Sequence, residues 1–172
     1  MPTRATGLVS APMRRALSSI VLVVAILSST PLAARADLPE ATKKALTESD
    51  LIYTATERQD GSRSSAAPIW FWFDGTDVYT TTSPESYKAK RLARGSPLYI
   101  WVGEEDGPFL IGEAERIDDP AIVAKMGQAY SDKYWIAWVG FFRPRPDRVR
   151  EGETIAYRVR VKEGTPHVPV SR

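Results

Sequence analysis

The chain has 172 residues, room for one domain and little more, with an ordinary globular composition of 43% hydrophobic and 26% charged side chains. The absence of cysteine excludes disulfides and a Cys-linked lipid anchor. A single histidine, His167 in a proline-flanked tail, argues against a His-based metal site or a Ser-His triad. The formal net charge of +2 belongs to the N-terminus: residues 1–36 hold Arg4, Arg14, Arg15 and Arg35 and no acid. Without those four, 19 of the 23 basic side chains face 21 acidic ones, a net charge of −2, so charge gives no argument for nucleic acid as a partner.

Residues 1–36 read as a signal peptide. Arg14 and Arg15 form the positive region, Ile20 to Leu27 (IVLVVAIL) the apolar run, and Ala34-Arg35-Ala36 a small-x-small cleavage site before Asp37. The apolar run is shorter than the roughly 20 residues of a bilayer-spanning helix, so no stable membrane anchor is expected after cleavage; an uncleaved anchor is the alternative. The expected location is periplasmic or secreted. Met13 is an alternative start, and the arginine pair is compatible with twin-arginine export.

The folded domain is expected over residues 37–163, with a flexible tail at 164–172. A short helix fits Asp37 to Ser49. Strands follow at Leu51–Thr56, Ser64–Phe73 and Asp77–Thr82, with Asp60-Gly61 and Asp74-Gly75 supplying the turns. Ser83-Pro84-Glu85-Ser86 breaks this meander, and Ser83 or Ser86 caps a short basic helix, Tyr87–Arg94. Strands four and five fit Pro97–Gly103 and Phe109–Ile117, where Gly112 marks a bulge or a close backbone approach. Asp118-Asp119-Pro120 opens a helix toward Tyr130, and Ser131–Val139 is expected to form a second one. A Pro- and Arg-rich connection, 142–152, leads to a sixth strand, Thr154–Lys162, which alternates polar and apolar residues. The pattern predicts a mainly β protein with short helices, a small six-stranded barrel.

Three segments are site candidates. In the first, Thr81, Thr82, Ser83 and Ser86 offer hydroxyls at the start of a helix carrying Lys88, Lys90, Arg91 and Arg94, a setting that attracts phosphate; a solvated, Ser-capped basic helix has the same pattern. In the second, Ile69, Phe71 and Phe73 share one face of a strand and Trp70 and Trp72 the other. Both faces are bulky and apolar, so one fills the barrel and the other meets a ligand or a partner subunit. Pro68 suits a bulge or an edge position there. The third is Lys133-Tyr134-Trp135 with Trp138, where Trp135 and Trp138 share a helix face that fits core better than ligand contact. Asp118 and Asp119 read as a helix cap and Glu104-Glu105-Asp106 as a solvated turn, so no metal site is expected.

The ordered pieces LIYTATERQDG, APIWFWFDG, VYTTTSPESYKAKRLARGSP and FLIGEAERIDDP resemble the pyridoxamine 5′-phosphate oxidase-like family of FMN-binding split barrels, in particular its flavin/deazaflavin oxidoreductase branch. Lys133-Tyr134 also resembles a position common in that family. The resemblance implies a split barrel, a homodimer, and two flavins in grooves at its interface. It places the threonine strand end near the flavin phosphate on Thr81 and Thr82, and the Ser-Arg-Lys phosphate motif on Ser86-Tyr87-Lys88, with Lys88 as the phosphate lysine. The strand whose backbone runs along the isoalloxazine ring falls on Pro68, Ile69, Trp70 and Phe71. Basic residues of the true oxidases are replaced at Ala66, Phe71 and Tyr87, so oxidation of vitamin B6 is not implied.

The expectation is therefore an exported flavin-dependent oxidoreductase, with FMN or a deazaflavin as cofactor and a small-molecule substrate that the sequence does not specify. No catalytic acid or base stands out. The alternative is a non-enzymatic split-barrel module that binds a flavin, haem or another planar ligand.

Overall fold

A computed structural model of the protein describes residues 37–134 and 143–163. The elements in chain order are α1 (Glu40–Glu48), β1 (Ile52–Thr56), β2 (Ala67–Ile69), β3 (Trp72–Phe73), β4 (Val78–Thr82), α2 (Tyr87–Leu92), β5 (Leu98–Val102), β6 (Phe109–Ile117), α3 (Pro120–Lys133), α4 (Pro146–Arg150) and β7 (Ile155–Glu163). The leader, the tail, and Trp135 with Trp138 lie outside the described residues.

The strands form one antiparallel sheet in the order β2-β1-β5-β6-β7-β4-β3. Its two edge strands, β2 and β3, are consecutive in the chain and separated only by Trp70 and Phe71. So few residues span roughly 10 Å at most. The edges must therefore lie side by side, and the sheet curls into a split barrel. Seven strands form where six were expected, because Ser64–Phe73 is not one strand. Its N-terminal part pairs with β1 (Tyr53 opposite Pro68), and its C-terminal part pairs with β4 (Trp72 opposite Tyr79). Pro68 thus stands on an edge, where its missing N–H costs no ladder bond.

The period-two patterns divide the side chains between two faces. Ile52, Val78, Leu98, Ile100, Leu110, Val159 and Val161 fill the barrel with Phe71, and Leu46 of α1 and Leu92 of α2 join them. On the outer face, Tyr79, Ile117 and Ala156 pack against Val123 and Met126 of α3 and Val149 of α4. The alternation of β7 sends Arg158, Arg160 and Lys162 outward to Glu115 and Glu113 at 2.7–2.8 Å. These exposed pairs add little stability. Gly112 is a close approach within a regular ladder, since a Cβ there would lie 2.2 Å from Val159 Cγ1.

The helix signals resolve cleanly. Ser86 caps α2 by accepting from Ala89 N at 3.0 Å, and Asp119 caps α3 by accepting from Ala121 N at 2.8 Å. Two expectations change. Residues 131–133 continue α3 instead of opening a second helix, because Tyr130 and Tyr134 lie on the same buried face as Val123 and Met126. The connection 142–152 contains α4, which Pro146 starts at a position where its missing N–H has no helical partner to lose.

Candidate functional site

The break between β2 and β3 leaves the Trp70 and Phe71 backbone groups outside the sheet ladder, and buried groups of this kind need other partners. Side chains supply them. The Trp70 carbonyl accepts from the Thr80 hydroxyl at 3.0 Å and from the Tyr130 hydroxyl at 2.9 Å. Phe71 N donates to the Tyr134 hydroxyl at 3.1 Å, and that hydroxyl has the carbonyls of Asp50 (2.7 Å) and Phe71 (3.0 Å) within donating reach. Burial pushes the Tyr134 phenol up to about 12 and the Tyr130 phenol well above its usual range, so both stay protonated as hydrogen-bond donors.

These contacts fix the Trp70 side chain. Its ring stacks on Tyr134 (centroids 4.4 Å apart, planes 6° apart) and meets Tyr130 edge-on at 6.2 Å. A cleft of about 450 Å³ opens beside it, lined by Leu51, Pro68, Ile69, Trp70, Thr81 and Tyr130. Its size and mostly apolar lining suit an organic ligand.

Of the eight expected site residues, Pro68, Ile69, Trp70 and Thr81 meet at this cleft. Phe71 belongs to the same backbone turn, but its side chain is fully buried in the barrel core, with the Lys133 ammonium 3.7 Å from its ring centroid. Thr82 and Ser86 join each other by a 3.0 Å hydrogen bond where β4 leads into α2. Lys88 reaches to β1, where its ammonium donates to the Thr54 hydroxyl at 2.6 Å. The Thr54 hydroxyl in turn donates to the Ala67 carbonyl at 3.4 Å, one residue before Pro68. Arg91 runs in parallel, donating to the Thr56 hydroxyl at 3.3 Å. The segments expected to hold phosphate and ring are thus linked through β1.

Lys88 is electrostatically incomplete. No carboxylate pairs with it among the described residues, and burial lowers its pKa from 10.5 to about 8. An anion placed beside this ammonium would offset the cost of burying its charge. Lys133 is also lowered to about 8, by burial opposed by the Asp50 charge.

Tyr130, Thr80 and Thr54 were not among the expected site residues. Tyr130 had a usable signal: Val123, Met126, Tyr130 and Tyr134 recur at helical spacing. Thr80 and Thr54 had none, because their partners depend on where the strand breaks and on how α2 lies against β1.

The fold has known relatives. A candidate 5-nitroimidazole antibiotic resistance protein from Bacteroides thetaiotaomicron matches with a TM-score of 0.55 at 15% identity, over 72% of this chain and 80% of that one. A candidate pyridoxamine 5′-phosphate oxidase from Listeria innocua matches with a TM-score of 0.53 at 16% identity, over 71% and 91%. A conserved hypothetical protein from Mycobacterium tuberculosis matches with a TM-score of 0.52 at 19% identity, over 81% and 96%. At these identities the likeness concerns the fold alone. No curated protein matches the sequence. The family model described as pyridoxamine 5′-phosphate oxidase matches residues 38–167. That span takes in every described strand, the cleft and Lys88, and the chain belongs to the pyridoxamine 5′-phosphate oxidase family.

Proposed function

We propose that the protein is an exported flavin-dependent oxidoreductase, holding FMN or a deazaflavin with the ring in the Trp70 cleft and the phosphate drawn to Lys88. The observation that carries this reading is the half-buried Lys88 ammonium, which has no carboxylate partner among the described residues and is joined through Thr54 to the strand that lines the cleft. The residues fit such a ligand. Trp70 and the Pro68-Ile69 backbone offer a flat apolar wall, Thr81 a hydroxyl, and Lys88 a charge lacking its counterion. The bound flavin would supply the hydride or electron transfer. The chain's part is to orient the ring, through the Trp70 carbonyl held by Thr80 and Tyr130, and to keep the phosphate end anchored. A homodimer, with a groove at its interface, is part of the proposal, as is export through the leader at 1–36.

One observation favours a binding module over an enzyme. Among the described residues, the one titratable side chain lining the cleft is Tyr130, whose hydroxyl is committed to the Trp70 carbonyl. The described lining therefore leaves the chemistry to the cofactor and the substrate. The deciding experiment is mass spectrometry of the ligand released from protein purified from its native host, followed by turnover with a reductant. A flavin or deazaflavin with turnover supports the enzyme; a bound ligand without turnover supports the module; a non-flavin ligand sinks the flavin reading. The mass of the same mature chain tests cleavage before Asp37.

A further inference from the structure

A second cavity, of about 360 Å³, lies between α2 and strands β6 and β7, and Lys88 is not among the described residues that line it. Ala89, Leu92 and Ala93 of α2 form one wall; Ala114 and Ile155 form the other. Its lining also has a polar part. Tyr157 is only 5% exposed and lines the cavity, and its hydroxyl has no hydrogen-bond partner among the described residues. That hydroxyl is not among the atoms sealed from solvent, so a molecule in the cavity can reach it. Arg116 stands directly across the β6–β7 ladder from Tyr157. It commits Nε to Asp118 at 3.0 Å, and both of its terminal nitrogens lack partners among the described residues. Lys90 adds a second cation on the α2 side, with Glu85 3.6 Å away.

The cavity lining thus brings together the phenol of Tyr157 and the cations of Arg116 and Lys90, while the rest of the lining is mostly aliphatic. The geometry points to a second small-molecule site, separate from the Trp70 cleft, for a compact amphipathic carboxylate whose acid group accepts from Tyr157 and Arg116 and whose apolar body lies against Ala89, Ala93 and Ile155. A carboxylate is the matched acceptor, because its two oxygens take a phenol and a guanidinium at once. The volume lies at the small end of ligand pockets, which suits a single ring or a short chain. Burial raises the Tyr157 pKa, so the phenol stays a donor at neutral pH.

The test uses the full chain and 3-phenylpropionate, with the uncharged 3-phenylpropionamide as control, followed by amide chemical shifts. Saturable shifts at Ala89, Ala93 and Ala114 are expected. The amide should bind at least about tenfold more weakly, as the loss of charge-assisted hydrogen bonds requires. Arg116→Gln, a change at a half-exposed side chain, should weaken the acid by a similar factor and leave the amide unaffected. Tyr157→Phe should weaken the acid several-fold; should that variant not fold, Arg116→Gln decides. The inference is overturned by the absence of saturable shifts, by shifts confined to the residues of the Trp70 cleft, or by equal binding of acid and amide.

Discussion

The Tyr134 hydroxyl holds both backbone polar groups of Phe71, accepting from its N–H at 3.1 Å and lying 3.0 Å from its carbonyl oxygen. Those groups belong to the two-residue step at which the chain leaves one edge of the sheet for the other. One phenol from the end of α3 therefore stands in for the missing ladder, and its ring stacks on Trp70 at the cleft.

Removing that hydroxyl should loosen the step without emptying the core. Tyr134→Phe keeps the ring stack but leaves a buried N–H unpaired, at a cost of about 1–3 kcal/mol. Urea unfolding of the variant checks this. A loss well under 0.5 kcal/mol would mean that water or another donor replaces the phenol with ease.

Lys88 should make the ligand-free protein more stable as the solution becomes alkaline. Its folded pKa, about 8, lies below the usual 10.5. Between those values the unfolded chain binds more protons than the folded one, so stability rises with pH across this window. Below pH 8 the folded state bears the cost of a buried charge, of order 3 kcal/mol. Lys88→Met should stabilise the ligand-free protein at pH 7 and flatten the rise between pH 8 and pH 10. Lys133, shifted in the same direction, leaves a smaller rise in the variant. Unfolding curves at pH 7 and pH 9.5 measure both effects, and an unchanged slope would count against a buried, unpaired Lys88.

Gly112 should resist substitution. A Cβ there would fall 2.2 Å from Val159 Cγ1 inside the barrel. Gly112→Ala forces the buried Val159 or the β6–β7 ladder to shift, a cost of about 1–3 kcal/mol. Thermal melting of the variant beside the parent checks this; an unchanged midpoint would show that Val159 has room to rotate.

The helix cap at Asp119 gives a more local prediction. Its carboxylate accepts from Ala121 N at 2.8 Å, and Asp119→Ala should cost about 1 kcal/mol. Because α3 carries Tyr130 and Tyr134 at its far end, the same variant should leave the Trp70 stack in place. Trp fluorescence of the folded variant checks that second point.

Much of this architecture was legible in the residues. Asp-Gly turns, the alternation of β7, the Ser86 and Asp119 caps and the two faces of Ile69–Phe73 are local signals, and each appears in the fold. Ile69, Phe71 and Phe73 do face the core, while Trp70 and Trp72 pack against Tyr130 and Tyr134. The break after Ile69 was not legible. It depends on the closure of the barrel, and on Thr80, Tyr130 and Tyr134 arriving from distant sequence to satisfy Trp70 and Phe71. The direction of Lys88 was hidden for the same reason. Sequence places it on a capped helix, but only the packing of α2 against β1 turns its ammonium toward Thr54.

The most direct test of the central claim compares FMN with riboflavin, which lacks the phosphate, on the parent protein and on Lys88→Ala. If Lys88 holds the phosphate, FMN binds the parent about tenfold to a hundredfold more tightly than riboflavin does, and the variant loses most of that difference. An FMN preference that survives intact in Lys88→Ala would contradict the account.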